Sequence, residues 1–282
     1  MWLVPLSALT LLPSPEYHQL SVGPYAATVR PGPVPIPDFG TAPIRGMELS
    51  YHRLTADTSD KDGILGGQFS GNTETITARI GVDQDGYIQL DQLRADSLLA
   101  SLRIRRNLGD TLDLSLIGGH WMSTWGLAEG DQYRLRALVP SNLTLVGLSN
   151  TDQDNDEKLK YYFSIGSGFG GEFIGRALGP IGVYGRAIVK LTSQNRHRPD
   201  QKNSVRNEVW FEPMLGLAYI GTEGSVILSG WGEVTTQWET RDDDGRSGID
   251  RQYIAGGLRL TGRLGVGDPA VTPSDDAVRV SL

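Results

Sequence analysis

Two residues near the middle of the chain have the types and spacing of a hydrolytic pair. His120 and Ser123 stand three residues apart in the segment GGHWMST, and a histidine that accepts the proton of a serine hydroxyl turns that hydroxyl into a nucleophile. Apolar residues at even positions just before this segment place His120 on the outward face of a strand, unless Gly118–Gly119 forms a bulge. The surrounding residues do not reproduce the motifs of known lipid hydrolases. We therefore expect no enzyme and keep a lipid hydrolase at His120 and Ser123 as an alternative.

Motifs for metal or cofactor chemistry are missing from the sequence. The chain has no cysteine, which excludes disulfides, thiolate zinc sites and iron–sulfur clusters, and it contains no phosphate loop, dinucleotide fingerprint or H-E-x-x-H motif. The acidic run at Asp152, Asp154 and Asp156 lacks the glycine and the distal glutamate of an EF-hand loop. We interpret this run and Asp242–Asp244 as solvated loop charge, with binding of divalent cations as the alternative, and predict no cofactor and no metal site.

Composition and charge limit the class of protein further. The 282 residues carry a formal net charge of −7 and include 36 glycines and 15 prolines. An acidic balance argues against nucleic acid as a partner, because phosphate binding needs clustered Lys and Arg. No stretch reaches the roughly 18 apolar residues that a transmembrane helix needs. The length allows one large β domain or two ordinary ones.

Apolar and polar residues alternate through almost every ordered-looking segment after Arg45. The even positions from Ile76 to Val82 are apolar, and the odd positions between them are polar or glycine. Segments 158–176, 181–192 and 205–220 have the same pattern. Alternation with a period of two is typical of strands that have one apolar and one polar face, and a helical period is found nowhere. The chain is therefore predicted to be all-β.

Strand length and aromatic placement favour a membrane barrel over a soluble sheet. Segments 158–176, 205–220 and 224–240 run to 16 or more residues, whereas strands of soluble proteins usually have about 5–6. Tyr161 and Phe173 lie 12 positions apart in one apolar row. In a tilted strand this spacing corresponds to roughly 30 Å of height, enough to bracket an apolar band of about 25 Å. The sequence predicts a single closed antiparallel transmembrane β-barrel, with a soluble β protein as the alternative.

Short and long connections alternate along the chain. Because outer-membrane barrels have short turns on the periplasmic side and long loops outside, we expect all the tight turns at one end of the barrel, together with both chain termini. The tight turns are predicted at 83–86, 108–110, 178–180 and 221–224, and the long loops at 57–71, 123–130, 149–157, 193–204 and 241–250.

Placing all the tight turns and both chain termini at one end of the barrel leads to a count of fourteen strands. Segments 131–139 and 142–149 count as two of them, as do 251–260 and 263–271, and 276–282 is the last. The total falls to twelve if two of the longer segments are each one continuous strand. We therefore expect a barrel of 12–14 strands and prefer fourteen.

The first 44 residues are predicted to lie outside the barrel domain, which spans residues 45–282. Trp2–Leu12 is apolar and has the length of a signal-peptide core, so residues 1–44 begin with a signal remnant or, alternatively, an N-terminal strand or a disordered leader. Val22–Pro43 is rich in proline and glycine. Such a composition suits an extended periplasmic segment without a central strand.

In strand length, turn asymmetry and aromatic placement, residues 45–282 resemble the Gram-negative outer-membrane β-barrels, in the size class of small monomeric porins. The stretch Gly256–Leu282 also resembles an uncharacterised proteobacterial barrel family, for which no activity is implied. The resemblance implies location in the bacterial outer membrane, contact with its lipids and, for a porin-like chain, transport of small polar solutes. One departure is Leu282, where barrels of this class usually end in Phe or Trp.

If the apolar rows face lipid, the polar rows face the lumen and decide what can pass. Basic strands come early and acidic strands lie at 205–240, so two opposed walls would set ion selectivity in a porin-like passive channel for small polar solutes. Alternatively, the charges pair and, with Tyr184, Trp210 and Trp231, close the barrel, which then acts through its extracellular loops. The oligomeric state is left open. The lumen-lining candidates for selectivity are Arg79, Arg103, Arg105, Arg134, Arg136, Arg186, Lys190, Glu208, Glu212, Glu233, Glu239 and Arg259.

Overall fold

The computed structural model describes residues 16–31, 43–57, 69–97, 99–105, 111–130, 133–150, 160–198, 201–221, 224–241 and 247–265. Twelve antiparallel strands occur in these ranges, and pairing of β1 with β12 closes them into a barrel without a free edge. No helix in the same ranges is long and apolar enough to cross a membrane. The strands are β1 (Glu16–Pro31), β2 (Ile44–Asp57), β3 (Phe69–Val82), β4 (Ile88–Ser97), β5 (Ser101–Arg105), β6 (Thr111–Gly130), β7 (Tyr133–Asn150), β8 (Lys160–Leu178), β9 (Ile181–Arg198), β10 (Gln201–Ile220), β11 (Gly224–Arg241) and β12 (Ser247–Gly265).

The alternation in the sequence separates the two faces of the barrel wall. In β9, Ile181, Val183 and Leu191 are exposed on the outside, whereas Tyr184 and Ile188 between them are buried inside. The same period of two runs through most of the other strands, with interruptions where the pairing shifts register in β4 and β6. The predictions of an all-β chain and of a single closed antiparallel barrel are therefore confirmed.

Large apolar side chains cover the outer wall of the barrel. They come from β1–β4 and β6–β12 and include Phe169, Leu215 and Leu217, which are 72%, 69% and 61% exposed. Tyr161 and Phe173 both lie on this outer face of β8, as their shared row predicts. Apolar area in water costs about 25 cal/mol per Å², so a wall of this composition requires lipid around it.

The inside of the barrel is packed unevenly. Buried apolar and aromatic side chains from β1, β2 and β8–β12 form one cluster, which includes Tyr25, Tyr184, Trp231 and Tyr253. We call this part of the lumen the filled side. The inner face of β3–β7 contributes no member to that cluster among the described residues.

The first strand of the barrel is formed by residues that the sequence analysis placed outside it. β1 pairs with β2 and with β12 along most of its length, so the predicted boundary at residue 45 is wrong. Gly23 and Pro24 hide the alternation of this segment, and both are absent from the β1–β12 ladder, which passes from Val22 directly to Tyr25. A proline at a position without a ladder bond costs the sheet little. Residues 1–15, and with them the signal-remnant prediction, lie outside the described residues.

The preferred total of fourteen strands is wrong. Segments 131–139 and 142–149 form the single strand β7, which continues through Pro140 opposite Met122 of β6. The β7–β8 ladder skips positions 139 and 140, so the missing N–H of the proline costs no bond to β8 there. The predicted strands from 251 to 271 are likewise one strand, β12, as far as Gly265, and 276–282 lies outside the described residues.

Merging these strands also changes where the turns lie. The turns between β8 and β9 and between β10 and β11 lie at the end of the barrel where β1 begins and β12 ends, which we call the terminal end. The tight turn at 83–87 lies at the opposite end, because an odd number of strands separates it from the turn after β8. The expectation that all tight turns share one end is therefore wrong. The tight turn predicted at 108–110 lies outside the described residues.

Two of the predicted long loops are largely strand. Residues 123–130 belong to β6, and most of 193–204 belongs to β9 and β10. The polar character of such segments does not prevent strand formation, because every second residue of a barrel strand faces a polar interior. The loop at 149–157 lies almost entirely outside the described residues.

β4 and β5 form a short hairpin that reaches only part of the barrel height. Beyond its tip β3 pairs directly with β6, at Ser70–Thr124 and Gly71–Ser123. The tip is held by a hydrogen bond from the backbone N–H of Gly118 to the carbonyl oxygen of Leu99, at 3.0 Å. The wall therefore has twelve strands toward the opposite end and ten toward the terminal end.

Candidate functional site

The lumen contains a cavity of about 150 Å³, which has room for on the order of ten water molecules. All twelve strands contribute side chains to its wall. The cavity is thus a property of the closed barrel and not of one local motif. Nine of the predicted lumen residues line it: Arg79, Arg103, Arg105, Arg186, Lys190, Glu208, Glu212, Glu233 and Arg259.

The other three predicted lumen residues lie outside this cavity or are not described. Arg134 and Arg136 occupy inward positions of β7, which alternate with the exposed Tyr133 and Leu135 of the outer face. The side chain of Glu239 lies outside the described residues. The role of all twelve residues in selectivity stays a prediction.

Arg79 is the centre of a buried polar cluster on the filled side of the lumen. Its guanidinium donates to Glu48 of β2 at 2.8 Å and to Glu233 of β11 at 2.7 Å. It also donates to Gln92 at 2.9 Å and to the hydroxyl of Tyr253 at 3.2 Å. We call these five residues the Arg79 cluster. Because β3 and β11 are not neighbours, the cluster bridges the lumen and fixes one side of the barrel against another.

Aromatic rings complete the packing around Arg79. The guanidinium carbon lies 4.7 Å from the ring centroid of Trp231, and that of Arg259 lies at the same distance from the same ring. Cation–π contacts of this kind stabilise a desolvated Arg by up to about 2 kcal/mol. Arg259 also pairs with Glu48 at 2.7 Å and lies 3.7 Å from Glu212. The filled side is therefore both apolar and charge-paired.

A second ion pair crosses the lumen from β5 to β10. Arg105 donates to Glu208 at 2.5 Å and to Asp113 at 3.4 Å. Asp113 accepts in addition from the hydroxyl of Ser149 at 2.6 Å, and Glu208 accepts from Gln237 at 2.7 Å. Both carboxylates thus have a cation and a neutral donor, which is the arrangement that buried charges require.

A third pair joins β12 to β8. Arg263 donates to Glu172 at 2.9 Å and to Gln19 at 3.0 Å, and the hydroxyl of Tyr184 donates to the same carboxylate at 3.0 Å. Gln19 belongs to β1, so the sequence analysis missed it together with Tyr25. The signal for both residues is the alternation in SVGPYAAT, which the Gly-Pro pair interrupts.

These pairs change the predicted picture of two opposed charged walls. The early basic strands and the late acidic strands do face each other, but Arg79 and Arg105 bind Glu233 and Glu208 directly. For twelve strands about 4.8 Å apart and tilted by about 40°, the wall-to-wall diameter is roughly 24 Å. Long side chains from both walls can therefore meet, and the field between the walls is locally neutralised where they do.

His120 lies inside the barrel, beside three cations. The register of β6 shifts on both sides of Ile117, and Gly118 has a φ of 122°, a conformation that favours glycine. This bulge reverses the parity of the strand and turns His120 inward, which is the exception that the sequence analysis allowed. Its Nδ1 lies 2.8 Å from Arg103 Nη2 and 3.2 Å from Lys190 Nζ. We call Arg94, Arg103, His120 and Lys190 the basic cluster.

The pair of His120 and Ser123 stays a prediction. His120 faces the lumen beside Arg103 and Lys190. The side chain of Ser123 itself lies outside the described residues. His52, a second inward histidine, lies 3.2 Å from the hydroxyl of Thr75. Among the described residues no group of three His, Asp or Glu side chains could hold a metal ion.

The outer and inner faces together decide where the protein lies. A membrane-spanning structure must bond its backbone polar groups internally, and a closed barrel does so. An even number of antiparallel strands, an apolar exterior and a polar interior are the features of bacterial outer-membrane barrels. The chain forms an outer-membrane β-barrel.

No family model and no curated protein matches the chain. Among solved structures it is similar to the outer membrane protease OmpT from Escherichia coli, with 9% identity, a TM-score of 0.39 and coverage of 90% of this chain and 97% of that chain. The translocator domain of the autotransporter NalP from Neisseria meningitidis has 8% identity, a TM-score of 0.40 and coverage of 92% and 91%. Ail of Yersinia pestis has 9% identity, a TM-score of 0.23 and coverage of 88% and 98%. Likenesses this weak carry no argument about function.

Proposed function

We propose that this outer-membrane barrel is a narrow, porin-like passive channel for small polar solutes. The observation that carries the proposal is the cavity inside the lumen, to which all twelve strands contribute and which charged and polar side chains line. A polar wall lowers the cost of moving a hydrated solute through the apolar layer around the barrel. The proposed partners are outer-membrane lipids on the outside and small solutes inside.

The cross-lumen pairs limit the width of the proposed passage. The Arg79 cluster occupies the filled side, and the Arg105–Glu208 pair reaches across the cavity from β5 to β10. Passage then runs beside these pairs, through the part of the lumen that β3–β7 face. Solutes of a few heavy atoms fit such a route, whereas disaccharides do not.

The same pairs favour a second candidate, a closed barrel that acts through its extracellular loops. Arg79 is 3% exposed and Arg196, which lies 3.8 Å from Asp113, is 1% exposed. Ion pairs buried to this degree reach little water, and they are stable only where each charge is matched. In this alternative the cavity is a water-filled void with no continuous route.

We propose no enzymatic role for the barrel. Nδ1 of His120 is in contact with two cationic donors, so this nitrogen is not free to act as a general base for a serine.

Osmotic swelling of liposomes that contain the refolded protein tests the proposal. Wild-type protein is expected to admit glycine and to exclude sucrose. The double variant Arg105→Ser, Glu208→Ser removes a cross-lumen pair and is expected to raise the rate for glycine several-fold. The matched control Arg53→Ser, Glu74→Ser removes a 3.7 Å pair that is half exposed, and its rate should equal that of the wild type.

Heat-dependent gel mobility verifies that each protein is folded, since closed barrels resist unfolding in unheated detergent. Folded, inserted protein that admits no solute, in the wild type and in the Arg105, Glu208 variant alike, would refute the channel and support the closed barrel.

A further inference from the structure

Several buried arginines of the lumen have a close carboxylate partner, which the cations of the basic cluster largely lack. Arg79, Arg105, Arg259 and Arg263 each lie within 3 Å of a carboxylate oxygen. The basic cluster, by contrast, holds three cations, and only one carboxylate among the described residues pairs with any of them. That carboxylate is Asp96, which pairs closely with Arg94 and lies 3.8 Å from Arg103.

Lys190 has no carboxylate partner among the described residues. It is 7% exposed, and its ammonium group contacts Nδ1 of His120 at 3.2 Å. Glu208, another acid of the same cavity wall, is already engaged by Arg105 and Gln237. An ammonium group buried to this degree without a counter-charge is expensive, because one neutral contact with His120 does not replace the hydration that it loses.

The imidazole of His120 cannot satisfy both of its cationic neighbours. Arg and Lys side chains only donate hydrogen bonds, so Nδ1 must be the unprotonated acceptor nitrogen, and the ring hydrogen then lies on Nε2. Nδ1 has one lone pair, whereas Arg103 and Lys190 both lie within hydrogen-bond distance of it. Two converging cations with one neutral acceptor leave donor capacity unused at this point of the lumen.

The unused donors face open space. Arg94, Arg103, His120 and Lys190 all line the cavity of about 150 Å³, as does the hydroxyl-bearing Thr192. An oxyanion placed there accepts from the guanidinium and the ammonium at once and supplies the missing negative charge. Charge-assisted hydrogen bonds of this kind are roughly twice as strong as neutral ones.

We propose that Arg103, Lys190 and His120 form a binding site for a small oxyanion, a carboxylate or phosphate group, inside the lumen. The inference rests on the proposed function for its use, because it names the solute class that the channel would concentrate. Binding itself requires only that water and ions reach the cavity. It is therefore testable without any measurement of transport.

Calorimetric titration of refolded, full-length protein in detergent with inorganic phosphate, and separately with acetate, measures the site. Lys190→Gln removes one charged donor and is expected to weaken phosphate binding by about 10-fold or more, since a hydrogen bond to a charged group contributes about 1.5–3 kcal/mol. Arg45→Gln is the matched control, because Arg45 is exposed on the outer face of β2 and the change in net charge is the same. This control is expected to bind phosphate within 2-fold of the wild type.

Two results would overturn the proposal: folded wild-type protein that binds neither anion, or equal weakening by Lys190→Gln and Arg45→Gln, which would indicate nonspecific screening. If Lys190→Gln does not fold, Arg103→Gln carries the same expectation. Stability gives an independent readout. Lys190→Gln should raise the unfolding temperature in low salt, and phosphate should raise the unfolding temperature of this variant less than that of the wild type. If the protein binds phosphate or acetate but admits no solute, only the channel is refuted. If it admits solutes but binds neither anion, only the anion site is refuted.

Discussion

Replacing Arg79 by glutamine tests whether the filled side of the lumen is dry. The substitution removes a cation that donates to Glu48 and Glu233 at 2.8 and 2.7 Å. Glu48 retains Arg259 at 2.7 Å, whereas Glu233 is left with the hydroxyl of Thr235 at 3.2 Å. The variant thus leaves one carboxylate, 6% exposed, without a counter-charge.

The magnitude follows from this burial. Breaking a buried ion pair by removing one partner costs about 3–5 kcal/mol, which corresponds to roughly two to four powers of ten in the folding equilibrium. Arg53→Gln is the matched control on the outer wall. The Arg53–Glu74 pair is 3.7 Å long, with side chains 38% and 52% exposed, and such pairs contribute about 0–1 kcal/mol.

Urea unfolding in phospholipid vesicles, followed by tryptophan fluorescence, gives the two free energies of unfolding. Adding Glu233→Gln to Arg79→Gln removes the stranded carboxylate and should recover part of the loss, since residues in contact are coupled. If Arg79→Gln costs no more than Arg53→Gln, the Arg79 cluster is well hydrated and the filled side of the lumen is not dry.

Three further predictions concern the wall and its charges. Gly118→Ala should destabilise the barrel by about 1–3 kcal/mol, because Gly118 has a φ of 122° and a Cβ there would lie 2.1 Å from a carbonyl oxygen of the next strand. Gly171→Ala is the control, because its Cβ would meet nothing closer than 3.7 Å. In a heat-mobility series this control should unfold at the wild-type temperature. Leu217→Arg on the outer wall should cost about 2–4 kcal/mol in lipid vesicles, whereas Leu178→Arg at a strand end should cost about 0–1 kcal/mol, and equal costs would contradict a lipid belt of limited height. Arg103→Ser should reduce the preference for anions in a salt-gradient measurement of reversal potential, and an unchanged potential would mean that the basic cluster does not face the route of ions.

The outer wall of the barrel is readable from the sequence, because each outward row depends only on the local alternation. The alternation in 158–176 and 181–192 predicts the outward rows of β8 and β9, and Tyr161, Phe173, Ile181 and Leu191 are exposed on the outer face. β1 was missed, since Gly23 and Pro24 break its pattern. The prediction of two strands at 131–139 and 142–149 is wrong for a related reason: Pro140 lies between the two segments, but its missing N–H falls where the ladder to β8 is already interrupted.

The interior is only partly readable. Alternation assigns Arg79 and Glu233 to the inner face, but they are 154 residues apart in the chain. Whether they meet depends on the stagger of the strands around the whole barrel, which no local pattern contains. The face on which His120 lies is also not predictable from the local pattern. Its direction depends on the positive φ of Gly118, and a Gly-Gly pair in a strand is compatible with either a bulge or a regular ladder.

The most direct test of the account is the single-channel current of the wild-type protein in a planar bilayer, after refolding in detergent. A lumen that holds a polar cavity beside a charge-paired filled side predicts discrete, reproducible steps of low conductance, with a preference for anions. Verified insertion without any step would contradict the channel, and large steps without ion preference would contradict the filled side of the lumen.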